Sequence, residues 1–178
     1  MNERFYIEPK VDREAAIKRI QEYTSSKLIK LWKKKQRLVS IELVYLPYWC
    51  YEYTLQSSSL KDGIQGKIAL ESVSKTPAIL PKDYPLLPLN KDINGLPVIG
   101  EADPEIARKT IYWEAFRKER RKKSIELEIQ SPPWLLFMPY WIGYVEGKAY
   151  EILPVDAVTG NLDLAIKDSF LKIFSVAG

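Results

Sequence analysis

The stretch Leu46-Pro47-Tyr48-Trp49 recurs at an offset of 92 residues as Met138-Pro139-Tyr140-Trp141, and this recurrence decides the predicted fold. Both copies lie in sequence rich in Val, Ile, Tyr and Trp, which is typical of strands. A helical pattern precedes each copy, and it opens at Asp12-Arg13-Glu14 and at Asp103-Pro104-Glu105. Aspartate caps free backbone amides, and proline suits a first helical position. The sequence therefore predicts a helix followed by strands, twice.

Two further landmarks support a duplication. Ser40-Ile41-Glu42-Leu43 equals Ser124-Ile125-Glu126-Leu127, and Gly66-Lys67 matches Gly147-Lys148. One helix on a few strands cannot bury its apolar face well alone, so two such units are expected to pack together. The predicted fold class is α+β, with internally duplicated helix-on-antiparallel-sheet units in one compact domain. Its predicted parts are a first repeat at 1–74, a proline-rich connector at 75–102 and a second repeat at 103–178.

The helices are predicted to span Asp12–Lys35 and Asp103–Lys123. In the second helix, Ile106, Thr110, Trp113 and Phe116 or Arg117 trace one face at spacings of three and four. One sheet face is expected to pack against the two helices. The strands that follow are predicted at Leu38–Gln56, at Gly66–Val73 with a continuation through Ala78–Leu80, at Ser124–Ile129, at Leu135–Val145, at Lys148–Val155 and at Asn161–Ala165, with a last short helix at Lys167–Val176.

Composition excludes several kinds of chemistry. The 178 residues contain no His and one Cys, Cys50. The commonest general base is therefore absent, and a zinc site has few ligands to draw on. We predict no catalytic residue, no metal and no cofactor, and we interpret Cys50 as a small apolar core residue. An enzyme that uses carboxylates and tyrosines remains an alternative.

Charge and hydropathy indicate the setting of the chain. The net charge of +4 is mild, and by itself it predicts solubility more than any partner. The first residues lack the apolar run of a signal peptide, and no apolar stretch reaches the roughly 20 residues that span a bilayer. We therefore expect a cytoplasmic protein.

A short motif near the end of the chain has a known counterpart. The sequence Val155-Asp156-Ala157-Val158-Thr159-Gly160 follows a predicted strand and leads back into another. It resembles the final hairpin of PepSY-type domains, and the order of a helix and then antiparallel strands is similar to that family too. The resemblance implies a fold and a function through protein contact, and it implies no site residue. The first half departs from the motif, because 71–77 contains neither the Asp nor the Gly.

The aromatic residues around the two Pro-Tyr-Trp motifs are the first candidate site. Neighbouring residues of a strand point to opposite faces, so only one residue of each Tyr-Trp pair can lie in a one-sided core. The other residue either packs against another part of the fold or lines a groove for a ligand or partner. The groove candidates are Tyr48, Trp49, Tyr51, Tyr140, Trp141 and Tyr144.

Two basic clusters at the predicted helix ends are the second candidate site. They favour either nucleic acid or an anionic membrane surface as partner, or simply complement the helix dipole in water. The residues are Lys33, Lys34, Lys35, Arg37, Arg117, Arg120, Arg121, Lys122 and Lys123.

The pattern as a whole predicts a non-enzymatic binding module that uses an aromatic sheet face. The expected partner is another protein or a second copy of the chain, because a monomer rarely leaves a large apolar patch in water. The connector 75–104 is the other candidate cover for that face. A small apolar ligand is a further possibility. Weak binding to nucleic acid or to an anionic membrane surface is the alternative function, although we do not expect nucleic acid as the partner.

Overall fold

The computed structural model describes residues 3–26, 36–57, 60–81, 83–118 and 125–177. Within these residues the chain has three α-helices and a mixed, seven-stranded sheet, so the α+β class is confirmed. None of these helices is long and apolar enough to cross a membrane. In chain order the elements are β1 (Arg4–Tyr6), α1 (Arg13–Thr24), β2 (Arg37–Ser57), β3 (Leu60–Glu71), β4 (Pro77–Leu80), β5 (Leu87–Pro88), α2 (Pro104–Lys118), β6 (Ile125–Glu146), β7 (Tyr150–Asp156), a 3-10 turn (Leu164–Ile166) and α3 (Lys167–Ala177).

The chain forms two compact units, and each draws on several parts of the sequence. Strands β2 and β6 both change unit at a Pro-Tyr-Trp motif, since the divisions fall between residues 46 and 47 and between residues 137 and 138. The first unit comprises Met1–Tyr6, Pro47–Leu89 and Val98–Phe137, and the second comprises Ile7–Leu46, Asn90–Pro97 and Met138–Gly178.

In the first unit the strands follow the order β4-β3-β2-β6-β1-β5. Strands β2 and β3 form a long antiparallel hairpin in which Trp49 pairs with Leu70 and Glu52 pairs with Lys67. β1 is parallel to β6 and antiparallel to β5, with Phe5 opposite Pro88. The connector therefore supplies both edge strands of this order, β4 and β5.

In the second unit β7 pairs antiparallel with the second half of β6, and Trp141 lies opposite Val155. Helix α3 packs on the sheet face opposite α1. The ring of its Phe170 meets the ring of Tyr140 edge to face, with centroids 5.3 Å apart. Phe170 and Ile173 are fully buried. The sequence analysis predicted that the connector or a second copy of the chain covers the second sheet face. In this unit α3 covers that face instead.

In each unit one of the helices, α2 in the first and α1 in the second, packs on the sheet through a narrow stripe of small or branched residues. Helix α1 buries Ala16 and Ile20 against Val145, Leu153 and Val155. Helix α2 buries Ala107, Ile111 and Ala115 against a set of larger strand residues, namely Tyr51, Tyr53, Leu55, Ile68 and Leu70. Alanine on the helix lets the backbone approach the sheet, and the strands fill the remaining volume.

This packing corrects the predicted face of the second helix. Trp113 is 63% exposed and Phe116 is 41% exposed, so both lie on the side away from the sheet. The bulky Tyr51 and Tyr53 already occupy the space below the helix, which leaves room there for alanines rather than for further rings.

A tryptophan fixes the start of α1 and another fixes the start of α2. The indole N–H of Trp49 donates to the carbonyl of Gly100 at 2.8 Å, and that of Trp141 donates to the carbonyl of Val11 at 2.7 Å. The capping aspartates follow these carbonyls closely, because Asp12 Oδ1 accepts from Ala15 N and Asp103 Oδ1 accepts from Ile106 N. Sheet and helix are thus joined by a hydrogen bond as well as by packing.

The turns after β3 and β7 have the same hydrogen-bond pattern. Asp156 Oδ1 accepts from the backbone amides of Val158 and Thr159. The buried carboxylate of Glu71 accepts in the same way from the amides of Val73 and Ser74. The positive φ of Gly160, at 80°, is matched by Lys75 at 62°. Glutamate and lysine therefore do the work that the sequence motif assigned to aspartate and glycine.

Several predicted strand boundaries are wrong. The β3 strand ends at Glu71, and the turn at 72–76 reverses the chain, so Ala78–Leu80 belongs to a separate strand. The two strands predicted at 124–145 are one continuous strand, β6. The predicted strand Asn161–Ala165 is a single bridge from Leu162 to Val155 followed by the 3-10 turn.

One predicted repeat landmark also falls at unlike places. Gly66 lies inside β3 opposite Tyr53, whereas Gly147 lies in the turn after β6. The hairpin of the first unit is longer than that of the second, so the two glycines have different surroundings.

Replacing Trp49 or Trp141 by Phe should destabilise the protein by about 1–2 kcal/mol each. Phenylalanine keeps most of the packing but leaves a carbonyl at the helix start without its donor. Urea melts followed by circular dichroism measure the free energy of unfolding. The same change at exposed Trp113 is the control and should cost less than about 0.5 kcal/mol. Equal effects at all three positions would contradict the assignment.

Candidate functional site

The predicted aromatic groove residues belong mostly to the interior. Tyr48, Tyr51 and Tyr140 are each less than 5% exposed. Trp49 and Trp141 are half-buried and pack beside the helices of their own units. Tyr144 is half-buried, and its hydroxyl donates to the carboxylate of Glu42. Tyr48, Trp49 and Tyr51 belong to the first unit, and Tyr140, Trp141 and Tyr144 belong to the second. Their role in binding stays a prediction.

The reactive groups of the interior are held in their neutral forms. Burial raises the pKa of the Cys50 thiol far above its ordinary value, although the nearby Lys67 opposes the shift. Burial and the hydrogen bond to Glu42 raise the pKa of Tyr144. Burial also raises the pKa of Tyr51 to about 12, and the charge of Asp103 adds to the effect. A thiol or phenol of this kind is a weak nucleophile and a weak acid at neutral pH.

Metal binding has no evident site in the part of the chain that is described. There, no three His, Cys, Asp or Glu residues lie close enough to hold an ion. Asp163 has a pKa raised mainly by burial and partly by the charge of Asp156. These two acids flank the turn after β7, and Asp156 is occupied by the turn amides.

The two described members of the basic clusters are paired with acids. Arg37 Nη2 lies 2.5 Å from Glu146 Oε1, and Arg117 forms an ion pair with Glu114 one turn earlier in α2. Such exposed pairs contribute little stability, but they reduce the charge that is open to a partner. The other predicted basic residues, Lys33, Lys34, Lys35, Arg120, Arg121, Lys122 and Lys123, lie outside the described residues.

The first unit carries an open groove of about 580 Å³. It lies on the sheet face opposite α2, because Glu52 of its floor alternates along β2 with Tyr51 and Tyr53, which pack under the helix. This groove, called the proline–aromatic groove below, is lined by Glu3, Phe5, Glu52, Lys67, Tyr84, Leu86, Gln130, Pro132, Pro133 and Trp134.

The lining divides into an apolar wall and a charged floor. Phe5 and Trp134 stack edge to face with ring centroids 5.0 Å apart, and both rings are half-buried. Tyr84 contributes a third half-buried ring from the connector. Glu52 and Lys67 are directly opposite each other in the β2–β3 register, so opposite charges lie side by side at the base. The arrangement combines an apolar wall with charged groups that can orient the polar groups of a bound chain.

The sequence offered a signal for this groove that went unused. In Pro132-Pro133-Trp134, two prolines, which have no backbone N–H to donate to a neighbouring strand, precede the largest aromatic residue. Pattern alone did not reveal its neighbours, since Phe5 and Tyr84 are far away in sequence and meet Trp134 only through the pairing of β1 with β6 and β5.

Comparison with known proteins adds no family to this description. No protein-family model, no curated protein and no solved structure matches the chain.

Raising the pH from 8 to 11 should destabilise the protein, and Tyr51 should contribute to the loss. A phenol whose pKa is higher in the folded state, about 12 instead of 10.0, keeps its proton when the unfolded chain has lost it. The folded state then binds more protons, so stability falls as the pH rises above 10. Denaturant melts of Tyr51→Phe should show a fall smaller by about 1 kcal/mol at pH 11.

Tyr150→Phe is the control for that experiment, because Tyr150 is 86% exposed. It should lose as much stability as the parent chain. A Tyr51→Phe variant that loses stability as steeply as the parent would contradict the buried placement of the phenol.

Proposed function

We propose that this protein is a non-enzymatic binding module whose site is the proline–aromatic groove of the first unit. The observation that carries the proposal is the grouping of Phe5, Tyr84 and Trp134 with two prolines on an otherwise polar sheet face. Half-buried rings in a concave site are typical of surfaces that recognise partners. The raised thiol and phenol pKa values favour binding over catalysis.

The proposed ligand is an extended, proline-containing segment of another protein. Aromatic rings and prolines form flat walls, and such walls suit a polyproline II helix, whose conformation costs little entropy to fix. The groove is open rather than enclosed, so a chain can pass through it. Two carboxylates, Glu3 and Glu52, against the single ammonium of Lys67 favour a basic residue in the segment.

We further propose that the two units descend from one duplicated module with a PepSY-type hairpin. The matched turns after β3 and β7 support this, because Glu71 and Asp156 accept the same pair of turn amides. The paired tryptophan bonds at the helix starts support it as well. The resemblance implies action through protein contact, in agreement with the proposed ligand.

Duplication would leave one copy free to specialise. In the second unit α3 covers the sheet face that faces away from α1, through Phe170 and Ile173. In the first unit the corresponding face carries the groove. The binding function is therefore proposed for the first unit, and a structural role for the same face of the second.

A blocked decapeptide of proline and leucine with one arginine should bind with a dissociation constant below about 1 mM. Chemical-shift mapping should place the perturbed amides around Phe5, Lys67 and Tyr84. Trp134→Ala should weaken binding by about tenfold, since an aromatic contact of this kind is worth roughly 1.4 kcal/mol.

Trp113→Ala is the matched control, because Trp113 is exposed outside the groove and should leave peptide affinity unchanged. Tyr84→Ala serves as a second groove variant if Trp134→Ala reduces stability, which a urea melt reports. Shifts that cluster elsewhere, or equal affinities for the Trp134 and Trp113 variants, would refute the site. If a small apolar dye binds in the groove and the peptide does not, the ligand is a small apolar molecule and not a peptide.

A further inference from the structure

Helix α2 carries three aromatic rings on its solvent side. Tyr112 and Phe116 are 43% and 41% exposed, and Trp113 is 63% exposed. The three rings lie against one another, with centroids 5.7 to 6.4 Å apart. Exposed rings that contact one another in this way usually mark an interaction surface. The cluster, called the α2 aromatic face below, has no cover among the described residues.

The corresponding positions of α1 are polar. Counted from the capping residues Asp12 and Asp103, the buried Ala16 and Ile20 of α1 match Ala107 and Ile111 of α2. By the same count Tyr112, Trp113 and Phe116 correspond to Gln21, Glu22 and Ser25. The fold thus tolerates polar residues at these positions, so the rings of α2 are not required by packing.

Basic residues flank the α2 aromatic face. Arg108 and Lys109 line the same shallow depression as Tyr112 and Trp113, beside the half-buried Ile125 and Leu127. Glu105 is the acid on the exposed side, and Glu114 is paired with Arg117. Excess positive charge around exposed rings complements a negatively charged surface.

We infer that the α2 aromatic face docks on an anionic membrane surface. Tryptophan and tyrosine prefer the interface between lipid headgroups and acyl chains, where the ring is apolar and its N–H or O–H reaches water. Lysine and arginine beside them gain from the negative potential of anionic lipids. The helix would lie in the plane of the interface with its opposite face still packed on the sheet.

This inference is independent of the proline–aromatic groove, since the two sites lie on opposite faces of the first unit. A protein docked through α2 would present the groove away from the lipid. The combined arrangement would recruit a proline-containing segment to a membrane surface.

Co-sedimentation with vesicles of phosphatidylcholine and phosphatidylserine at a ratio of seven to three tests the inference. We expect binding that falls at high salt and a blue shift of tryptophan fluorescence. The variant Tyr112→Gln, Trp113→Glu, Phe116→Ser, which carries the residues of α1, should lose at least tenfold in partitioning. The variant Arg108→Gln, Lys109→Gln should lose up to about 30-fold, because each basic residue near an anionic surface is worth about 1 kcal/mol.

Tyr150→Gln is the matched control, because Tyr150 is an exposed ring outside α2 and outside the groove, and it should bind these vesicles as the parent does. Circular dichroism melts should show that the triple variant folds, because all three rings are exposed. The inference is overturned if the triple variant binds vesicles like the parent, or if the parent does not bind. It is also overturned if sedimentation shows a dimer that the triple variant abolishes, since the cover would then be a second copy of the chain.

Discussion

The hydrogen bond from a strand tryptophan to the chain just before a helix is the contact on which each unit depends. Trp49 and Trp141 donate to the carbonyls of Gly100 and Val11, and a capping aspartate then opens the helix. The bond sets where the helix begins over the sheet. Because the start of the helix is fixed, its alanine and isoleucine residues are placed against the strands. At Gly100 the fit leaves no space for a side chain, because a Cβ there would meet the carbonyl oxygen of Ser72.

Local sequence patterns predicted much of this arrangement. The two capping aspartates, the strands around Pro-Tyr-Trp, the last helix and the connector with its extended chain are all readable from residue type and spacing. Strand alternation also predicted that Tyr140 and Trp141 face opposite sides. The prediction missed the turn after β3 because different residue types form it there. Glu71 takes the position of the aspartate, and Lys75 has the positive φ that a glycine usually has. The sequence motif therefore did not match the first turn.

The candidate site was less predictable because it depends on contacts between distant residues. Phe5, Tyr84 and Trp134 meet only after β1 inserts beside β6 and β5. The aromatic residues that looked most distinctive in the sequence are used for the interior, and less conspicuous ones remain at the surface. Helix periodicity was equally ambiguous for α2, since large apolar side chains lie on both its buried and its exposed side. Three of the aromatic residues that the sequence singled out, Tyr48, Tyr51 and Tyr140, are buried, and their role in binding stays a prediction.

Hydrogen–deuterium exchange of the indole N–H protons, followed by NMR, tests the central assignment of the tryptophans most directly. Trp49 and Trp141 hold their helices in place, so their indole protons should exchange slowly, at rates set by opening of the fold. Trp113 is exposed on α2 and should exchange at once. Exchange of Trp49 and Trp141 as fast as that of Trp113 would contradict the account, because the sheets and helices would then lack the contact that joins them.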